Sequence, residues 1–245
     1  ATLEMKGKGT DAADPVYKNC TIIDKNGDSV KYGTNGLPIA SPTLSLTAAP
    51  AGTMVLPNEL TLTATLSGAK PNNSGKTITF TAGGTPHNAV TDGSGTASCT
   101  ITSLTQGTYT LKASFAGDED NESVSAEISG YTVSLGAQEA LTLNGLDSAY
   151  TYGCEAFSLS TSGGSGGGAV SYASSDSSVA SVTGNTVTIL KAGKFTVTAT
   201  KAGDSSYAEK SVTSGEVTVS EATPNVNLSA TGGSTTSDPI TLTAT

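Results

Sequence analysis

Residues 60–66 read LTLTATL, and this stretch decides the fold class. Leu60, Leu62, Ala64 and Leu66 fall on one side of an extended chain, and Thr61, Thr63 and Thr65 on the other. Side chains alternate across a strand with a period of two, so the stretch predicts a strand with one face buried and one face wet. The same reading holds for ITFTA from Ile78, YTLKASF from Tyr109 and FTVTAT from Phe195. In TASCTIT, Ala97, Cys99 and Ile101 alternate with Ser98 and Thr100, which turns Cys99 inward. Strands of this kind cannot bury their apolar faces singly. A second sheet has to cover the first, which predicts an all-β sandwich. No stretch keeps a helical period beyond a turn or two.

Composition agrees with short strands and tight turns. Glycine supplies 29 of 245 residues, aromatics are 5% with no tryptophan, and charged residues are 13%, against roughly 25% in ordinary globular proteins. All 12 basic residues are lysine and the formal net charge is −9. Phosphate binding needs a basic surface and favours the arginine fork, so nucleic-acid partners and anionic membrane surfaces are disfavoured. No apolar run approaches the roughly 20 residues that span a bilayer. The chain begins at Ala1 without a signal peptide, as expected of a mature form or of a piece of something longer. Cys20, Cys99 and Cys154 are odd in number, lack metal-ligand spacing, and read as ordinary small residues without a disulfide frame.

Internal repetition sets the domain organisation. GTYTLKASFAGDEDN begins at Gly107 and GKFTVTATKAGDSSY at Gly193, so Gly117 and Gly203 are equivalent at an offset of 86 residues. PTLSLTA from Pro42 is echoed by PNVNLSA from Pro224, and LTLTAT before Leu66 by ITLTAT ending at Thr245. The expected order is a module of type A at 41–135, one of type B at 136–220, and the opening of another type A module at 221–245. Residues 1–40 are expected to be the tail of a preceding module or an N-terminal β segment, with TIIDKNGDSVKY as a hairpin around Asn26-Gly27. The connections GAQEA and SEATP are short, as expected of a semi-rigid rod. The apolar row of Ile240, Leu242 and Ala244 needs a partner sheet, supplied by a longer chain or by strand donation from a neighbouring subunit.

SGKTITFTAGG followed by DGSGTASCTITSLTQGTYTLKASFAGDEDN resembles the bacterial immunoglobulin-like repeats found in tandem in large surface proteins. Asn121 stands where that family often has a tyrosine or its neighbour, so the closing aromatic of the AGD turn is absent. The stretch from Thr151 to Tyr207 resembles a related glycine-rich, mostly-β bacterial module, with Tyr152 and Tyr172 at family core positions. The resemblance implies tandem immunoglobulin-like β-sandwiches, secretion and cell-surface attachment, as stalks of adhesins or spacers in polysaccharide-handling enzymes.

The residues that could carry chemistry are sparse. His87, the single histidine, is expected in an exposed turn. The acidic stretch GDEDNE offers Asp118, Asp120 and Glu122, with Glu119 beside them, as a weak calcium site against the reading of a solvated turn. The run from Gly163 to Gly168 lacks a lysine and opens no helix, so it reads as a flexible connection and not a phosphate loop. Tyr150, Tyr152, Tyr172 and Tyr207 read as packing residues with hydroxyls at the edge. With no carboxylate pair, no Ser/His/Asp order and no cofactor fingerprint, no enzyme is expected. The expected role is an extracellular structural and interaction segment, a stalk or spacer of an adhesin-like surface protein. Its expected partners are neighbouring modules, and host or cell-wall glycan or protein. The alternatives are a glycan-binding or accessory module of a secreted carbohydrate-active enzyme, or a filament subunit assembled by strand exchange.

Overall fold

The computed structural model describes residues 20–23, 27, 29–33, 37–224, 226–231 and 241–244. Among them there are strands and turns but no helix. The chain divides into two compact units, one of residues 1–136 with 205–207 and one of 137–204 with 208–245.

In the first unit, β1 (Cys20–Ile23) and β2 (Ser29–Tyr32) form an antiparallel pair with Ile23 opposite Ser29. This is the hairpin that the sequence suggested; Asn26 at its turn lies outside the described residues, as do residues 1–19. Two sheets follow. One is built from β3 (Thr43–Ala49), β5 (Leu60–Ser67) and β8 (Thr96–Ile101), in the order β3-β5-β8. The other takes β4 (Thr53–Val55), β6 (Thr77–Ala82), β7 (Thr85–Val90), β9 (Gly107–Phe115) and β10 (Val124–Ser134), in the order β4-β10-β9-β6-β7.

The inner faces meet as alternation requires. Leu60, Leu62, Ala64 and Leu66 from β5 join Ile78 and Phe80 from β6, and Leu111, Ala113 and Phe115 from β9, in one core. Each large apolar side chain closed off from water contributes roughly 1.5–3 kcal/mol. The outer threonines bond across strands: Thr63 Oγ1 lies 2.9 Å from Ser98 Oγ. In β10 the register shifts between Ile128 and Tyr131. This bulge resets the alternation, so that Tyr131 and Val133 are buried although Tyr131 is three residues beyond Ile128. Cys99 faces the core and is half-buried there.

The second unit has its own core of Leu159, Val179, Ala180, Val187, Ile189, Phe195, Val197, Val217 and Val219. Short strands surround it. β11 (Leu141–Asn144) pairs with β14 (Ser160–Gly163). β12 (Ala149–Thr151) and β18 (Gly193–Phe195) flank β21 (Val217–Ser220). β13 (Phe157–Ser158) and β16 (Ala180–Thr183) flank β17 (Thr186–Ile189). β15 (Val170–Ser174) and β20 (Lys210–Thr213) flank β19 (Val197–Lys201). The single alternating run FTVTAT therefore serves two sheets. It breaks at Thr196, whose N–H donates to Ser175 Oγ at 2.8 Å and whose carbonyl accepts from Ser175 N–H at 2.9 Å. Beyond this core, β22 (Leu228–Thr231) pairs with β23 (Thr241–Ala244), Leu228 opposite Ala244. Ile240 lies outside the described residues.

Both units share one topological feature. The β4 strand runs parallel to β10, the last strand of its sandwich, with Met54 opposite Val133. The β12 strand runs parallel to β21 in the same way, with Tyr150 opposite Val219.

Candidate functional site

The acidic stretch 117–122 is the one sequence candidate that the fold assembles into a built structure. It connects β9 to β10, and Asp118 and Asn121 close a tight turn through reciprocal backbone bonds, 3.0 Å from Asp118 N and 3.4 Å from Asn121 N. Asn121 is 2% exposed. Its Oδ1 accepts from Lys70 N–H at 2.7 Å, and its Nδ2 donates to Lys70 O at 2.8 Å and to Asp118 Oδ1 at 2.6 Å. A buried amide must satisfy both ends of its dipole. Here it does so by copying a strand pairing onto the chain before β6. The missing aromatic is thus replaced by a hydrogen-bonded plug, which no alternation pattern could reveal.

The carboxylates of the turn diverge to different partners. Asp118 Oδ2 accepts from Lys76 Nζ at 2.6 Å. Partial burial pushes the Asp118 carboxyl up, but the hydrogen bonds from Lys76, Asn121 and Asp120 N–H outweigh it and hold the group below its ordinary range. Glu122 accepts from Lys31 Nζ and, at 2.6 Å, from Ser41 Oγ, and these bonds hold its carboxyl below the usual range as well. The Asp120 N–H donates to Asp118 Oδ1 at 3.0 Å. Among the described residues, no group of three or more His, Cys, Asp and Glu is arranged to hold a metal ion. Beside the turn lies an open hollow of about 270 Å³ lined by Leu37, Pro38, Lys70, Pro71 and Asp120.

Other candidates lie apart from the turn. His87 is not in a loop: it sits within β7, opposite Phe80. Gly83 and Gly84 both have φ in the left-handed region, at 72° and 109°. That lets the chain reverse in two residues and start pairing at once. The edge position of β7 also tolerates Pro86. The 163–168 run is held by close approach and not loosely connected. Ala202 N–H donates to Ala169 O at 2.9 Å, and a Cβ at Gly168 would lie 1.8 Å from Ala202 O. Tyr150 stacks on Phe157 with centroids 4.4 Å apart, and Tyr172 reaches Thr161 Oγ1 at 2.7 Å. Tyr152 is 48% exposed and so is not a core residue. It lines an open groove of about 640 Å³ with Leu190, Lys191 and Pro224. Gln138, inside the stretch read as a connection, is 4% exposed. Its Nε2 donates to the carbonyls of Lys201, Ala202 and Ala208 at 3.3, 3.1 and 2.8 Å. Only its neighbours in space mark it out.

These cores, each covered by several sheets and each with an early strand running parallel to the last one, place the chain in the all-β, immunoglobulin-like sandwich class. Residues 46–135 match the family described as Bacterial Ig-like domain (group 3), so the first module is of the bacterial immunoglobulin-like kind. No curated protein matches the chain. Among solved structures, the chain is similar to a C-terminal fragment of intimin in complex with the intimin-binding domain of the translocated intimin receptor. That match has 19% identity, a TM-score of 0.34 and coverage of 76% of this chain, and the chain spans only 65% of the intimin fragment. It is also similar to fibronectin(III)-like modules of CbhA from Clostridium thermocellum, at 16% identity and TM-score 0.30, over 72% of this chain and 95% of that one. A third similarity is to the S-layer protein rSbsC, at 11% identity and TM-score 0.28, over 92% of this chain and 46% of that one.

Proposed function

We propose that this chain is a non-catalytic stalk or spacer segment of a bacterial surface protein, carrying mechanical load outside the cell. The observation that carries the reading is the parallel pairing of an early strand with the last one in both modules, β4 with β10 and β12 with β21. When a chain is pulled from its two ends, an early strand and a final strand that run parallel are drawn in opposite directions along their common axis. Their bonds, including Leu56 N–H to Ser134 O at 2.9 Å and Tyr152 N–H to Ser220 O at 2.9 Å, are then loaded together in shear and do not open one by one. The outer faces support the same reading. Thr63 with Ser98, Thr198 with Thr213 and Thr200 with Ser211 bond to each other within 2.9 Å, which leaves these hydroxyls occupied without a ligand. The match to a bacterial immunoglobulin-like family supports a surface protein in general.

The test is replacement in the parent protein. Exchanging residues 41–220 for two unrelated β-sandwich modules of equal length should leave surface display and activity of the parent unchanged. Loss of activity despite normal display would refute the spacer reading and favour ligand recognition by these modules. A membrane-impermeant thiol reagent should also label the exposed Cys154 on intact cells; labelling only after lysis would refute an extracellular role.

A further inference from the structure

We propose that the AGD turn is a docking edge for the chain segment that enters its module, and that the recurring element of this docking is a backbone pairing. This inference goes beyond the stalk reading and holds whatever the parent protein does. In the first module, Ala40 N–H donates to Asp120 O at 2.7 Å and Glu122 N–H donates back to Ala40 O at 2.8 Å. The two bonds make a parallel bridge between Ala40 and Asn121. The incoming segment is tied further by Lys70 Nζ to Pro38 O at 3.1 Å and Ser41 Oγ to Glu122.

The same pairing recurs on a different sequence. Gly136 N–H donates to Ser206 O at 2.8 Å, with a parallel bridge between Gly136 and Tyr207, all within the first compact unit. Asp120 and Ser206 are equivalent positions of GDEDN and GDSSY, and Asn121 and Tyr207 are the closing positions. The incoming residues share nothing: Ile39-Ala40-Ser41 in one case, Leu135-Gly136-Ala137 in the other. What is common to both is an N–H presented to the carbonyl of the turn's fourth residue. A Cβ at Gly136 would stand 3.4 Å from Ser206 O, in ordinary van der Waals contact with the turn.

Rigidity of the receiving edge explains the rest of the turn's chemistry. Asn121, locked to Lys70 and Asp118, holds the Asp120 carbonyl and Glu122 N–H in the pose that a strand edge would present. An edge of this type pairs with any extended chain that can offer an N–H and a carbonyl. The acids of the turn build this edge, Asp118 from inside through Lys76 and Glu122 from outside through Lys31.

Amide hydrogen exchange by NMR on the full chain tests this. The amides of Ala40, Glu122 and Gly136 should exchange far more slowly than open-chain amides. Ala40→Ser keeps the backbone groups and should leave all three protected. Ala40→Pro deletes the donor, and Glu122 should then exchange roughly tenfold faster, the equivalent of one backbone hydrogen bond. Leu62 in the core and Gly136 should be unchanged in that variant. Asn121→Ala should free both Ala40 and Glu122. Open-chain exchange at Ala40 or Gly136 in the unaltered protein would overturn the proposal, as would loss of protection in Ala40→Ser. So would full protection of Glu122 in Ala40→Pro. Loss of Leu62 protection in Ala40→Pro would also overturn it, because the contact would then be part of the folding core.

Discussion

Leu62 and Thr63 are neighbours in β5, and truncating each to alanine should separate the two faces of the sandwich. Leu62 is fully buried, opposite Ala48 on one side and Cys99 on the other. Leu62→Ala removes three carbons from a closed interior and leaves a cavity, which costs about 3 kcal/mol within the usual 2–5. For a module of this size each kcal/mol moves the melting point by roughly 4–8 °C, so the shift is about 12–24 °C downward. Thr63→Ala removes a half-exposed hydroxyl bonded to Ser98 Oγ at 2.9 Å. Loss of that bond and of strand preference together cost at most about 1 kcal/mol. Scanning calorimetry of the full chain reads both. Two cores made of separate residue sets predict that the module holding Leu62 moves while the transition of the second core, around Phe195 and Val197, stays in place. Equal shifts for the two substitutions, or a Leu62→Ala effect below about 1 kcal/mol, would refute the assignment of faces.

Calcium at millimolar concentration should leave the melting temperature of the first module where excess chelator leaves it, because Asp118 and Glu122 already hold lysines; a rise would restore the cation reading. The Asp118 carboxyl is lowered on folding, so its contribution is present above about pH 4 and is lost as pH falls through the folded value. Asp118→Asn should flatten that acid limb, measured as melting temperature against pH. Gly168→Ala should destabilise the second unit, since its Cβ would meet Ala202 O at 1.8 Å, whereas Gly167→Ala meets nothing within 4 Å and should be tolerated in the same melt. Cys154 should react with a thiol reagent in the native state faster than Cys99, whose thiol is pushed up by burial; mass mapping of labelled peptides distinguishes them.

The period-two runs determined the strands of the first module and the faces they bury, because burial in a half-exposed strand needs nothing but alternation. Leu60 through Leu66, Ile78 with Phe80, and Leu111 through Phe115 all lie where alternation puts them. Alternation could not say which sheet a strand joins. FTVTAT reads as one strand, yet it serves two sheets through a break at Thr196 that Ser175 stabilises. It could not locate the bulge that turns Tyr131 inward, nor His87 in an edge strand. The candidate site divides in the same way. GDEDNE was visible as a cluster of charge, and charge alone suggests a cation. Only the tertiary structure sends Asp118 to Lys76 and Glu122 to Lys31, buries Asn121 against Lys70, and brings Ala40 to the turn. Periodicity is a local property of the chain, while hydrogen-bond partners some 50 or 80 residues away are set by the closure of the sandwich.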